Sequence, residues 1–598
     1  MSLRKIVCQS RTGLSTLVVI ATVAGCGGGS TQPDPLQVYR QQTLNWTACD
    51  PNVAGPRSPK VLEAWERAGD RLQCSTMRVP MDWAKPDRSD LVVGVMRLAA
   101  TDPSQRRGAL VFNPGGPGED GQTFALKFFS AFGLSNPASE QGALQLRLLA
   151  TYDMVGFSPR GVGASSRLQC ATNEISRPTV PLSMGDSAAT FANADYNDRK
   201  AAEACLKNPI APFINTEDTA RDMDLLRELL GEAKLNYFGT SYGTWLGTWY
   251  ANLFPDKVGR MVLDSVVDYS SPFQSTFFQQ PQARQTLNDD VFLPYAARHS
   301  DYFQLGSNPA DIAARVNALS PQLRGVIGSV LSNLVYTRGS EDVYLATLSA
   351  AQWVDQTLAS LPDPSSKAAW NAALRAKVFV ADDSVRNDVV GKQAVALIDA
   401  YLNTFWNTAP SSFKIDASDA TYWAVICNDD VAITDPLAWH AKLLGIAQSA
   451  PLFAHNQNLC VYWGGPRVAK PSLDGMKGLD VLMVQSQYDA ATATVGANKF
   501  FAQLPNARRV YVPGEFIHGV FPYSDTCVDS TVVRYLLGET PTVRETTCAA
   551  HPLTQDAAVA QAKAQRQGAT GRAGVQPPTY LHPKEAQELI DSLKEGIR

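Results

Sequence analysis

Leu235-Asn236-Tyr237-Phe238-Gly239-Thr240-Ser241-Tyr242-Gly243-Thr244-Trp245 joins a short apolar run to a second apolar stretch, 242–253, that is hydrophobic almost all round. The first run reads as a strand and the second as a helix buried behind a sheet. Between them lies the pattern G-x-S-x-G, whose small residues at 239 and 243 permit a tight strand-to-helix turn that lifts the Ser241 hydroxyl above the sheet. The helix start behind Ser241 favours negative charge developing there. Such a pentapeptide alone is weak evidence, and its placement after a strand and before a helix is what gives it weight. Ser241 is the candidate nucleophile.

A serine nucleophile needs donors for the developing oxyanion and a base. Upstream, the apolar run 109–112 ends in Asn113-Pro114-Gly115-Gly116-Pro117-Gly118, where glycines let backbone N–H groups approach a substrate oxygen. The expected donors are Tyr242 N–H and an N–H from Gly115 or Gly116. In chains with this turn the partners follow in the order serine, acid, histidine. Asp489 comes after the run 481–485, and His518 lies beyond the next run, 509–512. Asp480 and Asp264 are the alternative acids. Of six histidines, the others fall in the C-terminal tail or in a central insertion and its flank.

Short apolar runs at 91–96, 109–113, 152–157, 235–239, 260–264, 481–485 and 509–512 alternate with helical stretches, which predicts a mostly parallel sheet with helices on both faces. Between 268 and 421 that rhythm gives way to helical patterns such as 319–334, 345–361 and 387–406. The expected organisation is a first core part at 46–268, a helical lid at 269–420, and a second core part at 421–550 carrying the acid and the histidine. Residues 555–576, rich in Ala, Gln and Gly without an apolar period, predict a solvated tail, so 551–598 is set apart.

With 598 residues, 45% hydrophobic and 18% charged, the chain can bury a large core and is neither disordered nor collagen-like. Its 53 Lys+Arg against 57 Asp+Glu, with no basic cluster, argue against a nucleic-acid partner. The N-terminus carries Arg4, Lys5 and Arg11, then an apolar run at 14–24. That run is too short to cross a bilayer, where about 20 residues are needed, and reads as a secretory signal. It ends in Val23-Ala24-Gly25-Cys26, which resembles a bacterial lipobox. Residues 1–25 are expected to be removed, Cys26 lipidated, and 26–45 to serve as a tether.

Setting Cys8 and Cys26 aside leaves eight cysteines, an even number that in an exported chain predicts disulfides. Their spacing suggests pairing in sequence order: Cys49 with Cys74, Cys170 with Cys205, Cys427 with Cys460, and Cys527 with Cys548. No Cys/His spacing suggests a metal site, and no cofactor is expected.

Asn113 to Gly118, Tyr152-Asp153-Met154-Val155-Gly156-Phe157-Ser158-Pro159-Arg160-Gly161, Thr219-Ala220-Arg221-Asp222, Gly239 to Gly243 and Phe254-Pro255-Asp256 together resemble the secreted tripeptidyl aminopeptidases, grouped with the proline iminopeptidases in the α/β-hydrolase superfamily. The resemblance runs from about Cys74 to about Cys548 and skips most of the lid. It implies an α/β-hydrolase fold and an exported serine exopeptidase that releases short peptides from free N-termini through Ser241, Asp489 and His518, which lipidation at Cys26 would hold on a bacterial membrane, periplasmic or at the cell surface. Such an enzyme must hold a substrate ammonium, and Glu119, Asp120, Asp429 and Asp430 are the candidate acids. Four positions depart from the family pattern. Glu119-Asp120-Gly121 replaces Gly-Ser-Gly after the glycine loop, Ser158 stands where Asp is usual, and Ile517 replaces a small residue. An esterase or lipase with the same triad, and a non-catalytic peptide-binding lipoprotein, are the rival readings.

Overall fold

A computed structural model describes residues 34–52, 59–185, 188–360, 367–405, 412–454 and 457–566. The expected signal, Cys26, the first part of the tether (26–33) and the end of the tail lie outside the described residues. The rest of the expected tether, 34–45, needs correction: Gln37–Arg40 is a short helix, Tyr39 and Leu44 are buried in the core, and Tyr39 Oη donates to the Pro86 carbonyl and to Asp90, so this segment is docked by its two apolar side chains. Among the described residues no helix is long and apolar enough to cross a membrane.

Ten strands form one sheet. In chain order they are β1 (Thr47–Ala48), β2 (Leu72–Pro80), β3 (Asp90–Leu98), β4 (Gly108–Asn113), β5 (Tyr152–Phe157), β7 (Leu235–Thr240), β8 (Val258–Asp264), β10 (Leu482–Ser486), β11 (Arg508–Val512) and β12 (Glu545–Thr547). Their spatial order is β1-β2-β3-β5-β4-β7-β8-β10-β11-β12, while β6 (Cys170–Ile175) and β9 (Ser412–Ile415) form a separate antiparallel pair. The sheet is antiparallel from β1 to β5 and parallel from β5 to β12. The seven runs read as strands all fall on β3, β4, β5, β7, β8, β10 and β11. β4 and β5 are buried at every residue, as parallel strands covered on both faces must be.

One core packs the helices Thr216–Leu229 and Tyr242–Leu253 against one face, around Trp245, Trp249 and Tyr237. A second packs Phe124–Phe132 and Thr526–Leu536 against the other, around Phe112, Phe128 and Phe521. The central helices, including Pro321–Ser332, Ser340–Ser360 and Ser384–Phe405, have their own core, which reaches the sheet region through Ala490 and Phe516. β9 returns from that region to pair with β6.

All four expected disulfides are present: Cys49–Cys74, Cys170–Cys205, Cys427–Cys460 and Cys527–Cys548. The tail expectation needs correction. Thr554–Arg566 is a helix, and it is docked: Asp556 pairs with Arg298 and His299, Thr554 donates to Glu341, and Leu553 and Ala557 are buried. Among its described side chains the buried apolar ones are at its first turn, so no repeating stripe marks it in the sequence.

Candidate active site

Ser241 sits between β7 and the helix Tyr242–Leu253 at φ 58° and ψ −126°. That conformation costs a non-glycine residue about 1–3 kcal/mol and persists only where its surroundings impose it. They do so by close approach. A Cβ on Gly239 would collide with the Gly243 carbonyl, and one on Gly243 would lie 2.6 Å from the Asn113 carbonyl oxygen. Ser241 N–H donates to the Asp264 carbonyl at 3.0 Å, which ties the turn to the end of β8.

Gly115, at φ 103°, packs directly on this turn. A Cβ there would stand 2.9 Å from both Tyr242 N and Ser241 Cβ. The Gly115 N–H is already used, donating to Asn113 Oδ1 at 3.0 Å. Of the two expected loop donors, Gly116 is therefore the one left, and it shares a narrow crevice with Ser241, Tyr242, Phe277, Gln280 and Thr492. The crevice holds about 20 Å³, roughly room for one water. A larger cavity of about 210 Å³ lies within the helical region, lined by Phe303, Trp353 and Arg386 and by none of the three expected catalytic residues.

His518 Nδ1 lies 3.1 and 3.0 Å from the two Asp489 oxygens. Asp489 is 1% exposed and also accepts from Ala491 N–H, Thr492 N–H and Thr492 Oγ1 at 2.8–2.9 Å. Burial pulls the imidazole down, but the charge and hydrogen bond of Asp489, with Asp264 behind, outweigh it and leave His518 above its ordinary value. Burial pushes the Asp489 carboxyl up, and the His518 charge with the bonds from His518 and Thr492 more than reverses it. His518 N–H donates to the Tyr336 carbonyl at 2.9 Å, and the Tyr336 ring stands edge-on to the imidazole at 5.5 Å. The helical region thus positions the histidine directly.

Asp264, the buried alternative acid, has a different task. Its carboxylate accepts from Val520 and Phe521 N–H, and the next residue, Ser265, accepts from Gly519 N–H at 2.7 Å. The end of β8 therefore holds both the serine turn and the histidine loop. Burial pushes the Asp264 carboxyl up to about 7. Asp480 bonds Arg260 and Thr540, away from His518. Among the described residues the Ser241 hydroxyl makes no hydrogen bond. The structure brings Asp489 and His518 into contact and the serine turn beside their loop, without joining hydroxyl to imidazole.

The four candidate acids separate. Asp120 accepts from Ser158 Oγ at 2.7 Å and from Gln122 N–H, so it fastens one loop to another. Asp429 is wholly buried beneath the serine helix, accepting from Thr216 and from Trp245 Nε1; burial pushes it up to about 7. It cannot meet a substrate. Asp430 faces Lys470 at 3.8 Å. Glu119 alone lies against Gly116, its Cγ 3.3 Å from where a Cβ on that glycine would be. Sequence reasoning missed Asp419, whose helix Ala417–Asn428 packs on Gly118 and whose carboxyl is raised by desolvation and by Asp416. It also missed Thr492, although Asp489-Ala490-Ala491-Thr492 has the spacing of a side-chain-capped turn. The one cluster of metal-ligating side chains among the described residues, Asp525 with Cys527 and Cys548, is occupied by a disulfide.

Residues 108–522 match the α/β hydrolase fold family. The chain is 30% identical to the tripeptidyl aminopeptidase of Streptomyces lividans over 501 residues, covering 80% of this chain and 84% of that protein. The chain belongs to the α/β-hydrolase family. Within it, the similarity extends to the serine protease Hip1 of Mycobacterium tuberculosis, 26% identical over 88% of this chain and 94% of that one. Carboxylesterase B of the same organism is 29% identical over 86% of this chain and 91% of its own. This α/β-hydrolase is an enzyme of the tripeptidyl aminopeptidase branch, as its motifs led one to expect. The similarity to an esterase bears on the choice of substrate.

Proposed function

We propose that this hydrolase is an exported serine exopeptidase that releases short peptides, tripeptides foremost, from free N-termini. Ser241 attacks the scissile carbonyl, His518 takes its proton and passes it to the leaving amine, and Asp489 fixes the imidazole and stabilises its protonated form. Tyr242 N–H and Gly116 N–H receive the oxyanion, and water clears the acyl-enzyme by the same route. The observation that carries this reading is the buried Asp489–His518 pair held beside a strained serine turn, with a glycine loop packed against that serine. The similarity to a tripeptidyl aminopeptidase favours peptides over other acyl compounds. Glu119, next to Gly116, and Asp419, on the helix that packs on Gly118, are the acids offered to the substrate ammonium. Four disulfides favour an oxidising compartment, and lipidation at Cys26 would hold the enzyme on a bacterial membrane, facing the periplasm or the surface.

Mass spectrometry of the products from a free and an N-acetylated peptide tests this reading. The free peptide should lose its first three residues and the acetylated one should remain whole. The similarity to carboxylesterase B supports a second reading as an esterase. Turnover of matched acyl esters without turnover of tripeptide amides would establish that reading and remove the first. A fluorophosphonate should label Ser241, and the label should be lost in His518→Ala; no labelling of the unmutated enzyme would leave only a binding protein.

A further inference from the structure

Three arginines are buried among the described residues: Arg160, Arg227 and Arg284. Arg160 grips both oxygens of Asp222 at 2.8 and 2.6 Å and three backbone carbonyls besides. Arg227 is paired with Asp224 at 2.7 Å. Arg284, 7% exposed, is different. Its Nη2 makes two long bonds, 3.2 Å to Gln280 Oε1 and 3.3 Å to Tyr336 Oη, and its buried Nε has no partner. Among the described residues no carboxylate lies within ion-pair distance of it. A guanidinium taken out of water without an anion is costly, and this chain supplies anions to its other two buried arginines.

The two side chains that Arg284 touches define where it stands. Gln280 lines the crevice with Ser241, and Tyr336 carries the carbonyl and ring that hold His518. Arg284 thus bridges a residue that lines the crevice and the residue that holds the imidazole, the group from which the leaving amine receives its proton. In a peptide, the residue that leaves bears its α-carboxylate two bonds from that nitrogen when it is the last in the chain. Resting on the exopeptidase reading above, we propose that Arg284 recognises a carboxylate on the residue just beyond the scissile bond, so that the preferred substrates are short oligopeptides ending there with a free C-terminus. A planar fork of N–H donors suits a carboxylate in two-point contact. An acidic side chain on the same residue offers the same chemistry, and the test separates the two.

The measurement is kcat/KM for three tetrapeptides of one sequence, cleaved after the third residue: ending in Ala with a free acid, in Ala amide, and in Asp amide. A matched pair of tripeptidyl esters, with lactate or lactamide as the leaving group, is run beside them. The enzyme should favour the free acid over the Ala amide by about tenfold or more, chiefly through KM, as expected for a hydrogen-bonded charge pair in a buried site. In Arg284→Gln that ratio should fall to about one, and Arg284→Lys should restore part of it. Because the Arg284 charge opposes protonation of His518, the acidic limb of the Ala-amide profile should move to higher pH in Arg284→Gln and stay in Arg284→Lys. Preference for Asp amide over Ala amide, without preference for the free acid, would assign the side chain as the source and overturn the free-C-terminus claim. An unchanged acid-to-amide ratio in Arg284→Gln, with Ser241 still labelled by fluorophosphonate, would overturn the proposal. So would a ratio of one in the unmutated enzyme, which decides the matter if Arg284→Gln does not fold. If no peptide is cleaved, the exopeptidase reading falls, and the lactate-to-lactamide ratio decides the carboxylate site by the same criteria.

Discussion

One deprotonation at His518 governs both rate and stability. The imidazole is held above its ordinary value of 6.5 by Asp489 and Asp264 against the pull of burial. It serves as base only when neutral, so kcat/KM should rise with pH along a limb centred above 6.5. The raised value also means that the His518 contribution to stability is fully present below that ordinary value and is lost as pH climbs through the folded one. Asp489, lowered below its ordinary value, contributes above 3.8 and loses its contribution as pH falls through the lowered value. The pair is therefore most stabilising between those two titrations, and activity should appear where the histidine half is withdrawn. Parallel profiles of kcat/KM and Tm, with His518→Gln as reference, check this; a Tm decline as pH rises above that window that is equally large in His518→Gln would refute it. At Gly115 the expectation is steric. An added Cβ meets Thr240 O at 2.6 Å and Tyr242 N at 2.9 Å, at a φ of 103° that alanine resists. Gly115→Ala should lower kcat by ~10²–10³ through loss of the oxyanion donors, with far-UV circular dichroism unchanged. The departures at 120 and 158 turn out to be one change. Where the family pattern has Ser and Asp, this chain has Asp120 and Ser158, and the Ser158 hydroxyl donates to the Asp120 carboxylate. Two positions that looked independent in the sequence could be joined only by their contact.

At the level of elements, what was legible follows burial. β4, β5, β7, β8 and β10 lie inside the sheet, are buried at most residues and read as mostly apolar runs, so their positions could be taken from the sequence. β1, β6, β9 and β12 are short, lie at edges or in the small second sheet, and have mostly exposed or half-buried residues, so no periodicity announces them. The serine turn, the acid and the histidine were legible because each follows a buried strand. Tyr336, in the connection between the helices Pro321–Ser332 and Ser340–Ser360, and Arg284, on the helix Gln280–Leu287, reach the site only through the packing of the helical region on the sheet, which no local pattern announces. The helix Thr554–Arg566 shows the same limit, because its value lies in polar contacts to buried partners. Thr554 N–H and Oγ1 donate to Glu341, Gln555 Nε2 donates to Asp342, and Gln555 N–H donates to Tyr295 Oη. Glu341 is wholly buried, and among the described residues removing Thr554 leaves its carboxylate with the Gly339 N–H alone. Truncation after residue 552 should cost the helical region about 2–4 kcal/mol, at roughly 1–3 kcal/mol for each buried group left unsatisfied. Chemical denaturation of the truncated and full chains checks this, and equal midpoints would return the segment to the status of a solvated tail.

Across the whole molecule the disulfides divide by what they hold. Each closes a loop of 21 to 35 residues, which by chain entropy is worth about 3 kcal/mol apiece. Their stability effects should therefore be similar, while their effects on catalysis should differ. Cys49–Cys74 staples β1 to β2 at the outer edge of the sheet, far in strand order from β7 and β10. Cys427–Cys460 anchors the end of the helix Ala417–Asn428, whose first turn packs through Ser418 and Tyr422 on Gly118 of the glycine loop. Beside it, Asn428 bonds the Ala211 and Ile214 carbonyls, and Asp429 bonds Thr216 and Trp245 under the serine helix. Loosening this bridge frees a segment that touches the oxyanion loop at one end and the floor of the serine helix at the other. Replacing Cys427 and Cys460 together by Ser should thus lower kcat/KM by about tenfold under conditions where the chain is still folded, since small misplacements at a reacting centre are amplified in rate. Replacing Cys49 and Cys74 should lower Tm by a similar amount and leave kcat/KM within about twofold, because that bridge meets the segment after the glycine loop only through a long contact of 4.0 Å from Gln122 Nε2 to Cys74 Sγ. Equal loss of activity in the two double variants, at matched fraction folded, would mean that the sheet transmits disorder from its edge and that the Ala417–Asn428 helix has no special hold on the site.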